Sequence, residues 1–311
     1  MLVSEEISDK GLDLLREAGH EVDVQIGLDD AGLAAAIVGA QAIIIRSATT
    51  VSAELLSAGT DLKIVGRAGI GLDNVDVDAA TERNVLVANA PFSNAITAAE
   101  HTMAMLLAQA RNIAHAHAAL VEGRWERSKW NGVELAEKTL GIVGLGRIGG
   151  LVAARARAFD MEIIAFDPYV APERAAGMGI ELVDLETLIG TSDFVTLHLA
   201  RTPDTMNLIN AELLAKAKPG LRLVNVARGG IIDEAALADA ISNGPVGGAA
   251  IDVFAEEPTV ASPLFTLPEV TVTPHLGAST VEAQLKAGIQ VAEQVVLALA
   301  GQPVPFAVNA R

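Results

Sequence analysis

Thr139-Leu140-Gly141-Ile142-Val143-Gly144-Leu145-Gly146-Arg147-Ile148-Gly149 is the stretch from which the fold is read. An apolar run suited to a buried strand leads into three glycines spaced G-x-G-x-x-G, and a run of helical character, Leu151 to Phe159, follows. Gly144 permits a tight turn, Gly146 lets the backbone approach a pyrophosphate, and Gly149 lets helix and strand pack closely. Backbone amides at the helix start, with Arg147 and Ile148 among the candidates, can then bind phosphate. A second apolar run, Met161 to Phe166, ends in Asp167, 18 residues after Gly149. A carboxylate there can accept bonds from ribose hydroxyls and would repel a 2′-phosphate, which favours NAD over NADP. Glycines at this spacing are often only turns. With strand, helix, second strand and acid in order, a dinucleotide site is the stronger reading.

Downstream, three apolar runs each deliver a charged residue. Leu223 to Ala227 leads to Arg228-Gly229-Gly230, and Ala249 to Ile251 leads to Asp252 and on to Glu256-Glu257-Pro258. Val270 to Thr273 leads to Pro274-His275. In a parallel sheet these points share the carboxyl edge, where ligands bind. Oxidising a 2-hydroxy acid removes a hydride from C2 and a proton from its hydroxyl. Histidine titrates near neutrality, so His275 is the candidate for the proton. Glu257 would orient its ring and favour its protonated form. Arg228 can hold a substrate carboxylate and polarise the C2 oxygen through paired donors. Asp252 is expected on the cofactor side. Taken singly, each residue has a plainer reading as a loop, turn or solvated acid; three suitable types at three successive strand ends outweigh it.

Upstream the same alternation occurs once more. Strands are expected at Leu2–Ser4, Glu21–Val24, Ala42–Ile45, Ile64–Gly66 and Val85–Val87. The expected fold is therefore α/β, two Rossmann-like domains with parallel sheets flanked by helices. Thr97 with Glu100 three residues on reads as a capping box opening a long helix. A polar stretch with Trp125 and Trp130 follows it. A last helix, about Thr280 to Ala300, is long enough to cross back to the first block and make that domain discontinuous.

The 311 residues are 51% apolar and 3% aromatic, which suits a sheet core of Ala, Val, Ile and Leu. With no cysteine, disulfides, thiolate metal sites and cysteine nucleophiles are excluded. A net charge of −17 argues against a nucleic-acid partner. It leaves an anionic substrate open, because charges beyond about 8 Å are largely screened. The opening residues show no secretory signal, and the apolar stretch Ala31–Ile45 is short for a membrane span. A soluble cytoplasmic protein without membrane contact is expected. His115 and His117, two apart on a helix, do not share a face, so they read as helix-surface residues. No metal is expected.

Gly144–Gly149, Asn225-Val226-Ala227-Arg228-Gly229-Gly230, Asp252-Val253-Phe254 with Glu257-Pro258, and Thr273-Pro274-His275-Leu276-Gly277-Ala278-Ser279-Thr280 together resemble the D-isomer-specific 2-hydroxyacid dehydrogenases. The resemblance runs over essentially the whole chain. It implies an NAD-dependent enzyme in which Arg228, Glu257 and His275 are catalytic. It also implies that Leu199, Val226, Ala227, Arg228, Asp252 and His275 join the glycine turn and Asp167 at the cofactor. A substrate domain of residues 1–91 and 280–311 and a nucleotide-binding domain of 92–279 are implied as well.

Ile45-Arg46-Ser47-Ala48-Thr49 and Val65-Gly66-Arg67-Ala68-Gly69-Ile70-Gly71-Leu72-Asp73-Asn74-Val75-Asp76 resemble the family's branch that acts on 3-phosphoglycerate at the entry to serine biosynthesis. The resemblance implies that Arg46, Arg67 and Gly69 face the substrate along with Arg228 and His275. Two arginines suit a dianionic phosphate. Other readings stay open: a reductase of the same family for glyoxylate, hydroxypyruvate or 2-oxoglutarate, or an NAD-sensing interaction protein. The chain departs from the family where His198-Leu199-Ala200 lacks a common proline and where Ile70 replaces a threonine of some members. Members of that branch often carry further C-terminal regulatory domains; this chain is expected to correspond to the catalytic portion alone. The family's usual homodimer is implied, with the helix after Thr97 and the tryptophan-containing stretch as candidate interface and Arg127 as the residue that could reach a partner's site.

Overall fold

Alternate residues of the central strands of the first sheet face two different helical layers, which explains why these runs are apolar throughout. The strands are β1 (Leu2–Val3), β2 (Asp23–Val24), β3 (Ala42–Ile45), β4 (Ile64–Arg67) and β5 (Leu86–Ala88). All are parallel, in the order β2-β1-β3-β4-β5. Ile43 and Ile45 pack with Leu33, Ile37, Leu55 and Ala79 from the helices Asp30–Ala36, Ala53–Ala58 and Val77–Glu82 and the turn after the first. Ala42 and Ile44 pack with Leu15, Ala287, Val291 and Val295 from the helices Asp9–Glu17 and Val281–Leu299. Those two helices touch at glycines. A Cβ on Gly11 would lie 2.7 Å from the Gly288 carbonyl oxygen, so only bare backbone fits there. The chain's last helix thus belongs to its first sheet, as the sequence permits.

The computed structural model describes residues 1–310; residue 311, at the end of the expected 280–311 segment, lies outside them. The described residues divide into two units, Met1–Asn94 with the segment from Ala278 onward, and Ala95–Gly277.

The second unit holds β6 (Thr139–Val143), β7 (Glu162–Phe166), β8 (Glu181–Leu182), β9 (Phe194–Leu197), β10 (Leu221–Asn225), β11 (Val246–Ile251) and β12 (Val270–Val272). They too are parallel, in the order β12-β11-β10-β9-β6-β7-β8. The order reverses between β6 and β9, and a crevice for a ligand opens at such a point. Sequence reading does not single out β8 and β9.

Helix starts follow local chemistry. Asp29, Ser52, Asp76, Asp184, Asn210, Asp233 and Thr280 each accept a bond from an amide three residues on. A cap of this kind is worth about 1 kcal/mol, and the four aspartates account for some of the acidic charge. The expected capping box at Thr97 is not formed. The helix runs Ala95–Ala110, so Thr97 lies buried inside its first turn. The long helix also breaks at Asn112, whose φ of 53° is left-handed, and a second helix, Ile113–Val121, follows. His117 is exposed on that helix as expected. His115 is half-buried instead: its Nε2 lies 2.8 Å from the Val270 carbonyl and its ring stacks on Trp130. Among the described residues, no helix is long and apolar enough to cross a membrane. No cluster of three His, Asp or Glu among them could hold a metal.

Candidate active site

β6 delivers the glycine turn at the sheet's reversal point. Gly144 has φ 98°, a conformation that strains any side chain. A Cβ there would also lie 2.7 Å from the His198 carbonyl oxygen and 3.0 Å from Leu199 Cδ2. The segment after β9 is therefore packed against the turn, which places Leu199 beside it. Leu145 points inward and is fully buried. Gly149 sits where a Cβ would collide with the Gly144 carbonyl, so helix and turn meet backbone to backbone. Gly146 differs: a Cβ there would meet nothing within 4 Å. Its bareness serves no internal contact and leaves room in front of the turn.

Gly146 is also the N-cap of the Arg147–Arg157 helix and supplies no side-chain cap. The first helical amides have no carbonyl one turn earlier to bond. Arg147 is exposed and Ile148 half-buried at this end. Asp167, just after β7, takes the amide of Leu145 at 2.8 Å and that of Tyr169 at 2.9 Å. It braces the turn, and its remaining lone pairs can still take hydroxyl donors. An open glycine, an uncapped helix start and an acid after the second strand fit NAD.

β10, β11 and β12 lie side by side, and their carboxyl ends carry the three catalytic candidates. His275 follows β12 with φ 55°, a left-handed conformation uncommon outside glycine. Its amide is held by the carbonyls of Asp252 at 2.8 Å and Thr273 at 3.1 Å. Its Nδ1 lies 2.5 Å from Glu257 Oε2. With Nδ1–H given to the carboxylate, Nε2 is the atom that exchanges a proton. The ring is 44% exposed and so open to a reactant. The other oxygen of Glu257 accepts the Phe254 amide at 2.8 Å. Burial alone would raise the Glu257 carboxyl. The bonds from His275 and Phe254 outweigh burial and hold it below the usual carboxylate range.

Arg228 is half-buried after β10, and its Nη1 donates to the Ala227 carbonyl at 2.7 Å. Its loop is shaped by Asn225, 2% exposed, whose amide donates to the Arg228 carbonyl at 2.9 Å and accepts the Ala227 amide at 3.0 Å. Gly229 passes so close to the Phe254 carbonyl that no Cβ could stand there. A Cβ on Gly277 would lie 2.7 Å from Val226 Cγ1 and 3.2 Å from Asp252 Oδ2. The loops carrying Arg228, Glu257 and His275 are thus interlocked through close approaches at these glycines. Val226 is buried, and Ala227 is half-buried beside Arg228.

Asp252 lies inside the loop cluster. Its side chain has no exposed surface. Oδ1 takes the Thr273 hydroxyl at 2.5 Å and the Leu276 amide at 2.7 Å, and Oδ2 takes the Gly277 amide at 2.8 Å. His101, on the Ala95–Ala110 helix, brings Nε2 to 3.3 Å from both Oδ1 and Thr273 Oγ1. Burial would raise the Asp252 carboxyl, but His101, Thr273 and the Leu276 amide bring it below its ordinary value. Asp252 therefore anchors the His275 loop, and its Oδ2, which takes the Gly277 amide, has a second lone pair. Sequence reading assigns no role to Asn225, Thr273 or His101. Asn225 and Thr273 are signalled by their place at strand ends and at the head of two quoted motifs, and His101 by nothing local. His198 keeps a neutral ring: desolvation pushes it down to about 3, and its Nε2 pairs with the Thr196 hydroxyl at 3.1 Å.

In the first unit, Arg46 directly follows β3 and Arg67 ends β4, with Ile45 opposite Arg67 in the register. Both arginines are half-buried at the carboxyl edge of their sheet. Gly69 lies under the Arg67 guanidinium: a Cβ there would stand 2.8 Å from Cζ, so glycine lets the side chain fold across.

The second unit, with a glycine turn on its first strand and an imidazole–carboxylate pair on the same sheet edge, defines a dinucleotide-binding α/β protein. Residues 103–277 match the family model for the NAD-binding domain of D-isomer-specific 2-hydroxyacid dehydrogenases. The chain belongs to that family. It is 58% identical over 293 residues to the D-3-phosphoglycerate dehydrogenase of Mycobacterium leprae, covering 94% of this chain and 56% of that protein. The chain thus spans about half the length of the curated relatives it matches. Among solved structures, the TT0316 protein from Thermus thermophilus superposes with a TM-score of 0.91 at 34% identity, covering 99% of each chain. The Aquifex aeolicus D-lactate dehydrogenase complexed with NAD and lactic acid gives 0.87 at 25% identity, covering 100% of each.

Proposed function

We propose that the chain catalyses hydride transfer between NAD and 3-phosphoglycerate, giving 3-phosphohydroxypyruvate, at the entry to serine biosynthesis. The observation that carries the chemistry is the bond between His275 Nδ1 and Glu257 at 2.5 Å. NAD, when bound, would supply the acceptor for the hydride that leaves C2 of the substrate. Nε2 of His275 takes the hydroxyl proton as the hydride leaves, and returns it to the carbonyl oxygen in the reverse direction. Glu257 holds the ring in the tautomer this requires and stabilises the imidazolium that forms. Arg228 binds the substrate carboxylate and polarises the C2 oxygen. Residues 95–277 serve as the nucleotide domain and the first unit as the substrate domain, with Arg46, Arg67 and Gly69 assigned to the phosphate end. Likeness to named 3-phosphoglycerate dehydrogenases and a pair of arginines on adjacent strand ends support that assignment. A homodimer is proposed as the assembly.

The test compares 3-phosphohydroxypyruvate with hydroxypyruvate as substrates for NADH oxidation. The phosphorylated acid is expected to have the larger kcat/KM by about a hundredfold, the scale of one or two charge-assisted bonds. Equal values would overturn the substrate assignment while leaving the dehydrogenase chemistry intact.

A further inference from the structure

The loop that carries Arg46 is folded around a carboxylate of the chain itself. Glu5 Oε1 accepts the amides of Arg46 at 2.7 Å and Thr49 at 2.9 Å, and Oε2 accepts the Ala48 amide at 3.1 Å. Successive amides converging in this way form a nest, a backbone cavity for an anion. Here the anion is internal. The loop's carbonyls are held from elsewhere: Asn74 Nδ2 donates to the Arg46 carbonyl at 2.8 Å and to the Thr49 carbonyl at 2.6 Å. Ser4 and Thr49 hydroxyls lie 3.0 Å apart and add a third tie. Arg46 and Thr49 are thus fixed through both kinds of backbone group, and Ala48 through its amide. The Arg46 side chain, whose Nη1 rests 3.3 Å from the Glu6 carbonyl, is left for an outside anion, with the exposed Ser47 beside it.

We propose that Glu5 and Asn74 are positioning residues for Arg46, with Glu5 filling the nest so that an incoming phosphate is taken by the guanidinium and not by the amides of Arg46, Ala48 and Thr49. The inference rests on the assignment of Arg46 to the substrate phosphate. Freeing the loop lets Arg46 wander, and misplacement of about 1 Å is enough to cost large factors in rate or affinity. Neither Glu5 nor Asn74 touches substrate in this reading. Both act through Arg46.

The experiment uses the full chain and the variants Glu5→Gln, Asn74→Ala and Arg46→Met, with each double variant that combines Arg46→Met. Glu5→Gln keeps one acceptor oxygen and replaces the other by a donor that faces loop amides. For 3-phosphohydroxypyruvate, Glu5→Gln and Asn74→Ala are each expected to lower kcat/KM by about ten- to a hundredfold, mainly through KM. For hydroxypyruvate the change should stay within about twofold, and NADH binding should be unaltered. Each double variant should be no worse than Arg46→Met alone, because groups acting through a third residue are not additive with its loss. Additive losses, or equal losses on both substrates, would overturn the proposal and leave a purely structural role. Should Glu5→Gln fail to fold, Asn74→Ala decides by the same criteria. If Arg46→Met itself leaves the phosphorylated substrate unaffected, the underlying assignment of Arg46 fails. If Arg46→Met is damaging and the other two variants are not, only the positioning role fails.

Discussion

His275 departs from ordinary backbone geometry at the point where the chemistry needs its ring. Its left-handed φ of 55° is tolerated because two carbonyls hold its amide and Glu257 holds Nδ1. The carboxylate's contribution is orientation and charge, so an uncharged replacement that keeps the shape should slow the proton step without removing it. Glu257→Gln is expected to lower kcat by about ten- to a hundredfold, less than loss of the imidazole, while NADH affinity is kept. Stopped-flow NADH oxidation reads this, and an unchanged kcat would take Glu257 out of the mechanism.

At the scale of elements, both units use one device: a carboxylate from one strand end takes the amides of a neighbouring loop. Asp252, after β11, holds Leu276 and Gly277, and Glu5, shortly after β1, holds Arg46, Ala48 and Thr49. In Asp252, Glu257 and Glu5 burial pushes the carboxyl up, but hydrogen bonds bring the net value below ordinary. A group whose folded value is depressed stabilises the fold above its ordinary value, and that stability is lost as pH falls through it. The loss should therefore begin near the ordinary values, 4.5 for glutamate and 3.8 for aspartate, and deepen below them. Asp252→Asn should cost about 1–3 kcal/mol at pH 7, and less at pH 3, below the ordinary aspartate value of 3.8. Urea midpoints at the two pH values measure this; a cost that does not shrink with acidity would contradict it.

These anchors also mark the limit of what could be read from the chain. The G-x-G-x-x-G turn was legible because strand, helix and acid are local in sequence, and the charged residues at β10, β11 and β12 because apolar runs announce strand ends. Asp252 is visible as a charge, but that it turns inward depends on Thr273, Leu276 and Gly277, some twenty residues away. His101 reaches the same carboxylate from a helix about 150 residues upstream, a pairing no local period encodes. The Thr97 capping box failed for a similar reason. A pattern of suitable residues is a local signal, whereas the packing that starts the helix at Ala95 is tertiary.

For the whole molecule, the second unit leaves several large apolar side chains uncovered. Ile113, Leu120 and Val121 on one helix and Trp125 just beyond are all more than half exposed, Trp125 at 80%. Exposed apolar groups so close together are characteristic of association surfaces. The proposed homodimer would cover them. Sedimentation at micromolar concentration is expected to give twice the chain mass, and Leu120→Glu with Trp125→Glu to shift it toward monomer. A wild-type chain that sediments as a monomer throughout would remove the dimer.

The most direct measurement is turnover of the His275→Ala variant with 3-phosphohydroxypyruvate and NADH, paired with NADH binding followed by fluorescence. Turnover should fall by roughly 10²–10⁴ while NADH binding is retained. Turnover within a few-fold of the unaltered chain, with NADH binding intact, would show that the proton is carried by another group.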